Sequence, residues 1–133
     1  MPVYAEWDSE DHTIIRLHLH DPWELAEYIE ASSQTRTMML SVSYPVHLIV
    51  DLSDSFRLPK NLLRNVGAIN SHILPDQGLV VAVKYSPYAR AVMRVAMRVF
   101  PKLGRNVVFA HSLQEAYEII RIADHKPPID NRV

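Results

Sequence analysis

The sequence predicts an α/β fold: a single open mixed sheet with an N-terminal hairpin followed by a β-α-β-α-β-α series, the helices packed on the sheet. Three observations predict it. Two short alternating segments open the chain, three continuous apolar runs follow them, and each run is succeeded by residues at helical spacing. Alternation marks strands with one wet face, and unbroken apolar runs mark strands covered on both faces. Strands interleaved with helices pair in parallel.

The elements follow in order. "VYAEW" alternates, and so does "TIIRLHLH" after the polar connection "DSEDH", which makes a hairpin with Ile15, Leu17 and Leu19 on its core face. Asp21-Pro22-Trp23-Glu24 reads as a helix start, with Asp21 as N-cap, Pro22 in the first turn and Glu24 at the capping-box position. Leu25, Tyr28 and Ile29 give that helix its apolar side. The stretch "ASSQTRTMMLSVSYP" could continue the helix, restart it or hold a short strand, and Pro45 closes it in each case. Residues 46–52 are a buried strand. Residues 59–73 place Leu62, Leu63, Val66, Ile69 and Ile73 at helical spacing. Residues 79–84 form another buried strand, and Ser86-Pro87 opens a helix that runs to Phe100 and stops at Pro101. Residues 106–110 are the last strand. Ser112-Leu113-Gln114-Glu115 is a capping box for a helix lined by Leu113, Ala116, Ile119, Ile120 and Ala123. One domain over residues 1–125, with a flexible tail at 126–133, accounts for the chain.

Composition bounds the function classes. Apolar residues make up 48% and charged residues 22%, as in ordinary globular proteins, and there is no cysteine to supply disulfides or thiolate chemistry. The acidic N-terminus is no secretory signal, and "LVVAV" is far too short for a membrane span, so a cytoplasmic protein is expected. Net charge is −1 but uneven. Up to Val50 there are eight acids against two bases. From Arg57 to Arg105 there are nine bases against one acid, Asp76. Nucleic acid is not the expected partner, because no aromatic residues interleave with the bases as a stacking platform requires.

The order of elements over residues 46–123, carried by "VHLIVDLSDSF", "SPYARAVMRVAMRVF" and "VVFAHSLQEAYEII", resembles the anti-sigma-factor-antagonist family, the STAS domains. The leading hairpin and capped helix extend the resemblance to nearly the whole chain. It implies a regulatory protein-interaction domain whose loop after the third strand runs Asp-Ser-Ser-Gly-Leu and carries a serine phosphorylated by a partner kinase. Aligned on Phe56 and Leu62, this chain has Leu58, Pro59, Lys60 and Asn61 at those places, so the phospho-switch does not come with the resemblance. Relatives of that family that hold apolar ligands supply the alternative, a carrier of a lipid-like molecule in which Met38, Met39, Leu40, Met93 and Met97 line a cavity.

The candidate sites each admit two readings. Asp51, Ser53, Asp54 and Ser55 stand at a strand's carboxyl end, where open α/β sheets place their sites. They either turn the chain through local side-chain bonds or leave Ser53 or Ser55 open to phosphorylation. Arg57, Lys60 and Arg64 form an anion or acidic-partner site at a helix start, or a solvated face. Arg90, Arg94 and Arg98 recur every four residues as a wet ridge opposite Val92, Val95, Ala96 and Val99, or as a docking surface for an acidic partner. That partner could be the Glu24, Glu27 and Glu30 row of a second copy, which would give a homodimer. His18 and His20 share a strand face but lack the further ligands of a metal site. With no nucleophile elbow and no glycine-rich loop, no enzyme and no cofactor are expected.

Overall fold

A computed structural model describes residues 2–55, 57–59, 62, 64, 67, 78–102 and 104–125. Among them are β1 (Val3–Trp7), β2 (Ile14–His20), α1 (Leu25–Leu40), β3 (His47–Asp54), β4 (Val80–Val83), α2 (Pro87–Val99), β5 (Val107–Ala110) and α3 (Leu113–His125). The strands form one sheet in the order β1-β2-β3-β4-β5, with β1 antiparallel at the edge and every other pair parallel. The α/β class and the single mixed sheet expected from the sequence are what the chain adopts.

Alternation sorts the residues onto two faces. Val3, Ile15, Leu17, Leu19, Leu48, Val50, Leu52 and Ala82 point to one face, where Ala31 and Met39 of α1 are buried and Met93 of α2 packs. Ile49, Val81, Val83 and Ala110 point to the other and meet Ala116 and Ile120 of α3. That α1 and α2 share a face follows from handedness: right-handed crossovers between parallel strands added in one direction deliver their helices to one side.

Several elements differ from expectation. Helix α1 begins at Leu25 with Glu24 as N-cap, not at Asp21, and Glu27 Oε1 accepts the Glu24 N–H at 2.9 Å. Asp21 is occupied elsewhere: its N–H donates to Asp54 O at 2.9 Å, and its carboxylate accepts the Arg57 N–H at 3.1 Å. The open stretch after residue 30 is helix through Leu40, with Leu25, Ala31, Thr35 and Met39 buried, and Thr35 satisfies its own hydroxyl on Ala31 O. Strand β3 continues past Leu52 to Asp54, so Ser53 and Asp54 are strand rather than turn. Val95 and Val99 were expected on the core side of α2 but are 48% and 65% exposed, because Ala89 and Ala96 occupy the buried line of that helix. Ala123 of α3 is exposed as well. The 59–73 helix and the 126–133 tail lie largely or wholly outside the described residues.

Two predicted helix starts are present. Ser86 caps α2 by accepting the Ala89 N–H at 3.0 Å with Pro87 behind it, and Ser112 accepts the Glu115 N–H at 3.1 Å. In the hairpin connection Ser9 Oγ accepts from the Thr13 and Ile14 amides, and His12 takes a positive φ of 57° while its ring stacks on Trp7.

At the same end of the sheet as the hairpin connection, His47, 8% exposed, ties three segments together. Its Nδ1 accepts the Leu79 N–H at 3.0 Å, which leaves the proton on Nε2 to donate to Asp124 Oδ1 of α3 at 2.7 Å. Gly78 makes room for that ring: a β-carbon there would lie 2.6 Å from His47 Nδ1 and 2.9 Å from Val46 O. Gly78→Ala is therefore expected to destabilise the fold by about 1–3 kcal/mol, the usual cost of overpacking. Gly67→Ala, which among the described residues meets only Phe100 at 3.7 Å, should not lower stability. Urea unfolding of the two variants beside wild type measures the difference.

Candidate functional site

The candidate site lies on the α3 side of the sheet, over β1, β2 and the end of β3. Helix α3 packs there on β4 and β5, and it reaches the β2–β3 half with Tyr117 and Asp124. The remainder of that face is polar because every second residue of β1 and β2 points to it: Tyr4, Glu6, Arg16, His18 and His20. On β3, the residues of the same parity as Ile49 are His47, Asp51 and Ser53.

Arg16 organises the inner part. Its guanidinium donates to Asp51 Oδ2 at 2.9 Å and to Asp8 Oδ1 at 3.4 Å, while the Tyr117 hydroxyl of α3 donates to Asp8 Oδ2. Asp51 is 6% exposed, and its second oxygen accepts the Ser53 N–H at 3.0 Å and the Ser53 hydroxyl at 2.5 Å. Burial alone would raise the Asp51 pKa, but the two Ser53 bonds and Arg16 outweigh it and hold the carboxyl below its ordinary value. Burial, followed by the bond to anionic Asp8, pushes Tyr117 up to about 12. The result is a network in which both oxygens of Asp8 and of Asp51 have partners, whereas Arg16 Nε is buried without one among the described residues.

The outer part is a stack of rings. Tyr4 lies on His18 with centroids 4.5 Å apart and planes 13° apart, and His20 continues the stack 5.9 Å from Tyr4. His18 Nε2 meets Glu6 Oε2 at 2.6 Å, and His20 Nδ1 meets Asp54 Oδ2 at 3.0 Å. Each histidine thus has a carboxylate of its own, and the described residues contain no group of three or more side chains placed to hold a metal ion.

The loop leaving β3 closes on itself. Ser55 is 2% exposed, and its hydroxyl accepts the Trp23 indole N–H at 2.9 Å and faces Arg57 O at 3.5 Å. With Asp21 holding the Arg57 amide, the chain entering α1 and the chain leaving β3 are latched together.

The predicted basic residues disperse. Arg57 and Arg64 are exposed, and Lys60 lies outside the described residues. Arg90 does not stand with Arg94 and Arg98: its guanidinium is turned onto the rings of Phe109 and Tyr85, 5.4 and 5.9 Å from their centroids. Arg94 and Arg98 are exposed. The Arg16–Asp8–Asp51–Tyr117 network and the Trp23–Ser55 bond were not read from the sequence. The alternation of β2 pointed Arg16 to the wet face, but pairing it with Asp51 requires the parallel register of β2 on β3.

Two outcomes follow for stability. Asp51→Asn leaves Arg16 opposite an uncharged side chain and should cost about 2–3 kcal/mol. That is less than for a fully buried pair, because Asp8 remains. Asp51, with its lowered pKa, contributes stability above the ordinary carboxylate range that is lost as pH falls through its folded-state value. Tyr117, with its raised pKa, contributes stability that is complete below pH 10.0 and is lost as pH rises through about 12. Thermal midpoints of wild type, Asp51→Asn and Tyr117→Phe across both limbs check the two signs: each variant should flatten its own limb and leave the other. Ser55→Ala strands the buried Trp23 N–H and should cost about 1–3 kcal/mol in the same assay.

No protein-family model matches the sequence, and no curated protein matches it.

Proposed function

We propose that the chain is a non-catalytic, STAS-like protein-interaction domain of the cytoplasm that works without a phospho-switch. The observation that carries this reading is the closed loop at the carboxyl end of β3. Ser55 is buried under Trp23, and the Ser53 hydroxyl is already donated to Asp51. A kinase acting on Ser55 would have to open the bond that ties the entry of α1 to the end of β3, and one acting on Ser53 would have to take its hydroxyl from Asp51 within the strand. A phosphate on Ser53 would also add about two negative charges beside an ionised carboxylate.

Support for a non-catalytic role comes from the state of the polar face. A general base works best with a pKa near the operating pH, whereas Asp51 is pushed below its ordinary value and its oxygens are committed to Arg16 and Ser53. Met38, Met39 and Met93 pack in or against the core cluster, which favours a filled core there over a cavity for an apolar ligand. The homodimer expected from the two charged rows loses a member of each, Glu27 to the start of α1 and Arg90 to Phe109 and Tyr85. A foreign protein partner is the reading we adopt. No helix among the described residues is long and apolar enough to cross a membrane.

Intact mass of the protein purified from its native host tests the proposal. The unmodified mass is expected, and a near-stoichiometric addition of about 80 Da, one phosphate, located on Ser53 or Ser55 would overturn it. Native mass spectrometry after mild extraction is expected to show no bound apolar molecule.

A further inference from the structure

The apolar arc of α2 is wider than the core uses. At about 100° per residue, Tyr88, Val95 and Val99 fall within roughly 20° of one line along the helix. The buried Ala89 and Ala96 lie about 80–100° to one side of that line, and Arg94 and Arg98 about 80–120° to the other. The line is in the open: Tyr88 is 63% exposed, Val95 48% and Val99 65%. Such residues normally face a partner surface when they form a continuous row. Spacings of seven and four residues match the seam that one helix offers another. Helix α2 carries no acid, and Arg94 and Arg98 make no ion pair among the described residues.

From this geometry we infer that the Tyr88–Val95–Val99 seam, flanked by Arg94 and Arg98, is a docking surface for an amphipathic helix of another protein whose flank is acidic. The inference rests on the interaction role proposed above and names the surface and the chemistry of the partner. A second copy fits the seam less well. In an antiparallel two-fold pairing of seam on seam, the arginine flank of each helix falls beside that of its mate, and like charges repel. The acidic first helix of a second copy brings exposed Glu24 and Glu30, but its large exposed apolar side chain is Leu40 alone, at the far end. The occupant needs both an apolar row and acids beside it.

Fluorescence anisotropy with two labelled synthetic helices of about five turns tests the assignment. Both carry one leucine seam, flanked by glutamate in one and by lysine in the other. The full chain should bind the glutamate peptide saturably at low salt and the lysine peptide at least about tenfold more weakly. Arg94→Glu with Arg98→Glu should reverse that preference, and Val95→Asp should weaken the glutamate peptide by at least about tenfold. All three positions are exposed, so the variants should keep the wild-type circular dichroism. Equal affinity for the two peptides overturns the inference, as does failure of the glutamate peptide to bind or affinity unchanged in the variants. A wild-type dimer by sedimentation that Val95→Asp converts to monomer overturns it in favour of a second copy. None of these results bears on phosphorylation at Ser53 or Ser55, so the inference can fail while the proposed function stands.

Discussion

The handedness of the parallel connections governs this molecule. Strands β2 to β5 are added in chain order in one direction, and a right-handed crossover can deliver its helix to one side only. Helices α1 and α2 therefore pile onto the face of Leu17, Leu48, Val50 and Ala82. Among the described residues the opposite face receives a helix only after the last strand, and α3 packs on β4 and β5 there. What β1 and β2 show on that side must live with water. That is why Glu6, Arg16, His18 and His20 stand where a doubly covered sheet would place valine and isoleucine.

A half-covered face creates a boundary, and the boundary is where charge is buried. Arg16 and Asp51 sit where the apolar packing of Ile49, Val81 and Ala116 gives way to the open ring stack. An ion pair at such a place is costly to desolvate and costly to break. Here the cost is offset by multiplicity: Asp51 takes two bonds from Ser53 besides Arg16, and Tyr117 closes on Asp8 from the helix side. The network also fixes how far α3 can slide over the sheet, with His47 and Asp124 fixing its far end.

Local signals were legible in the sequence and non-local ones were not. Alternation gave the hairpin and its buried Ile15, Leu17 and Leu19. Unbroken apolar runs gave β3, β4 and β5, and Ser86-Pro87 and Ser112 gave two helix starts. Asp21 misled because its cap-like context was recruited by a contact 36 residues away, the Arg57 amide. Arg90, Arg94 and Arg98 read as one ridge on spacing alone. An aromatic pair from β5 and the start of α2's own loop draws Arg90 aside, and Phe109 cannot be placed over Arg90 until the strand order is known. Of the candidate site, the residue types were visible but their pairing was not, because pairing depends on the register of β2 against β3.

The strand order has a consequence for synthesis. In many α/β sheets a strand made late is inserted between strands made early, so the early ones must wait. Here β1 through β5 lie side by side in the order in which a ribosome releases them. Each new strand finds its neighbour already formed, and the growing edge always faces the emerging chain. The last described helix carries Tyr117 and Asp124 back to Asp8 and His47, so it supplies contacts that close on the two earliest parallel strands and their hairpin. A chain ending before residue 113 would hold all five strands with the α3 face uncovered, and a chain extended past Asp124 would hold that face covered over β4 and β5.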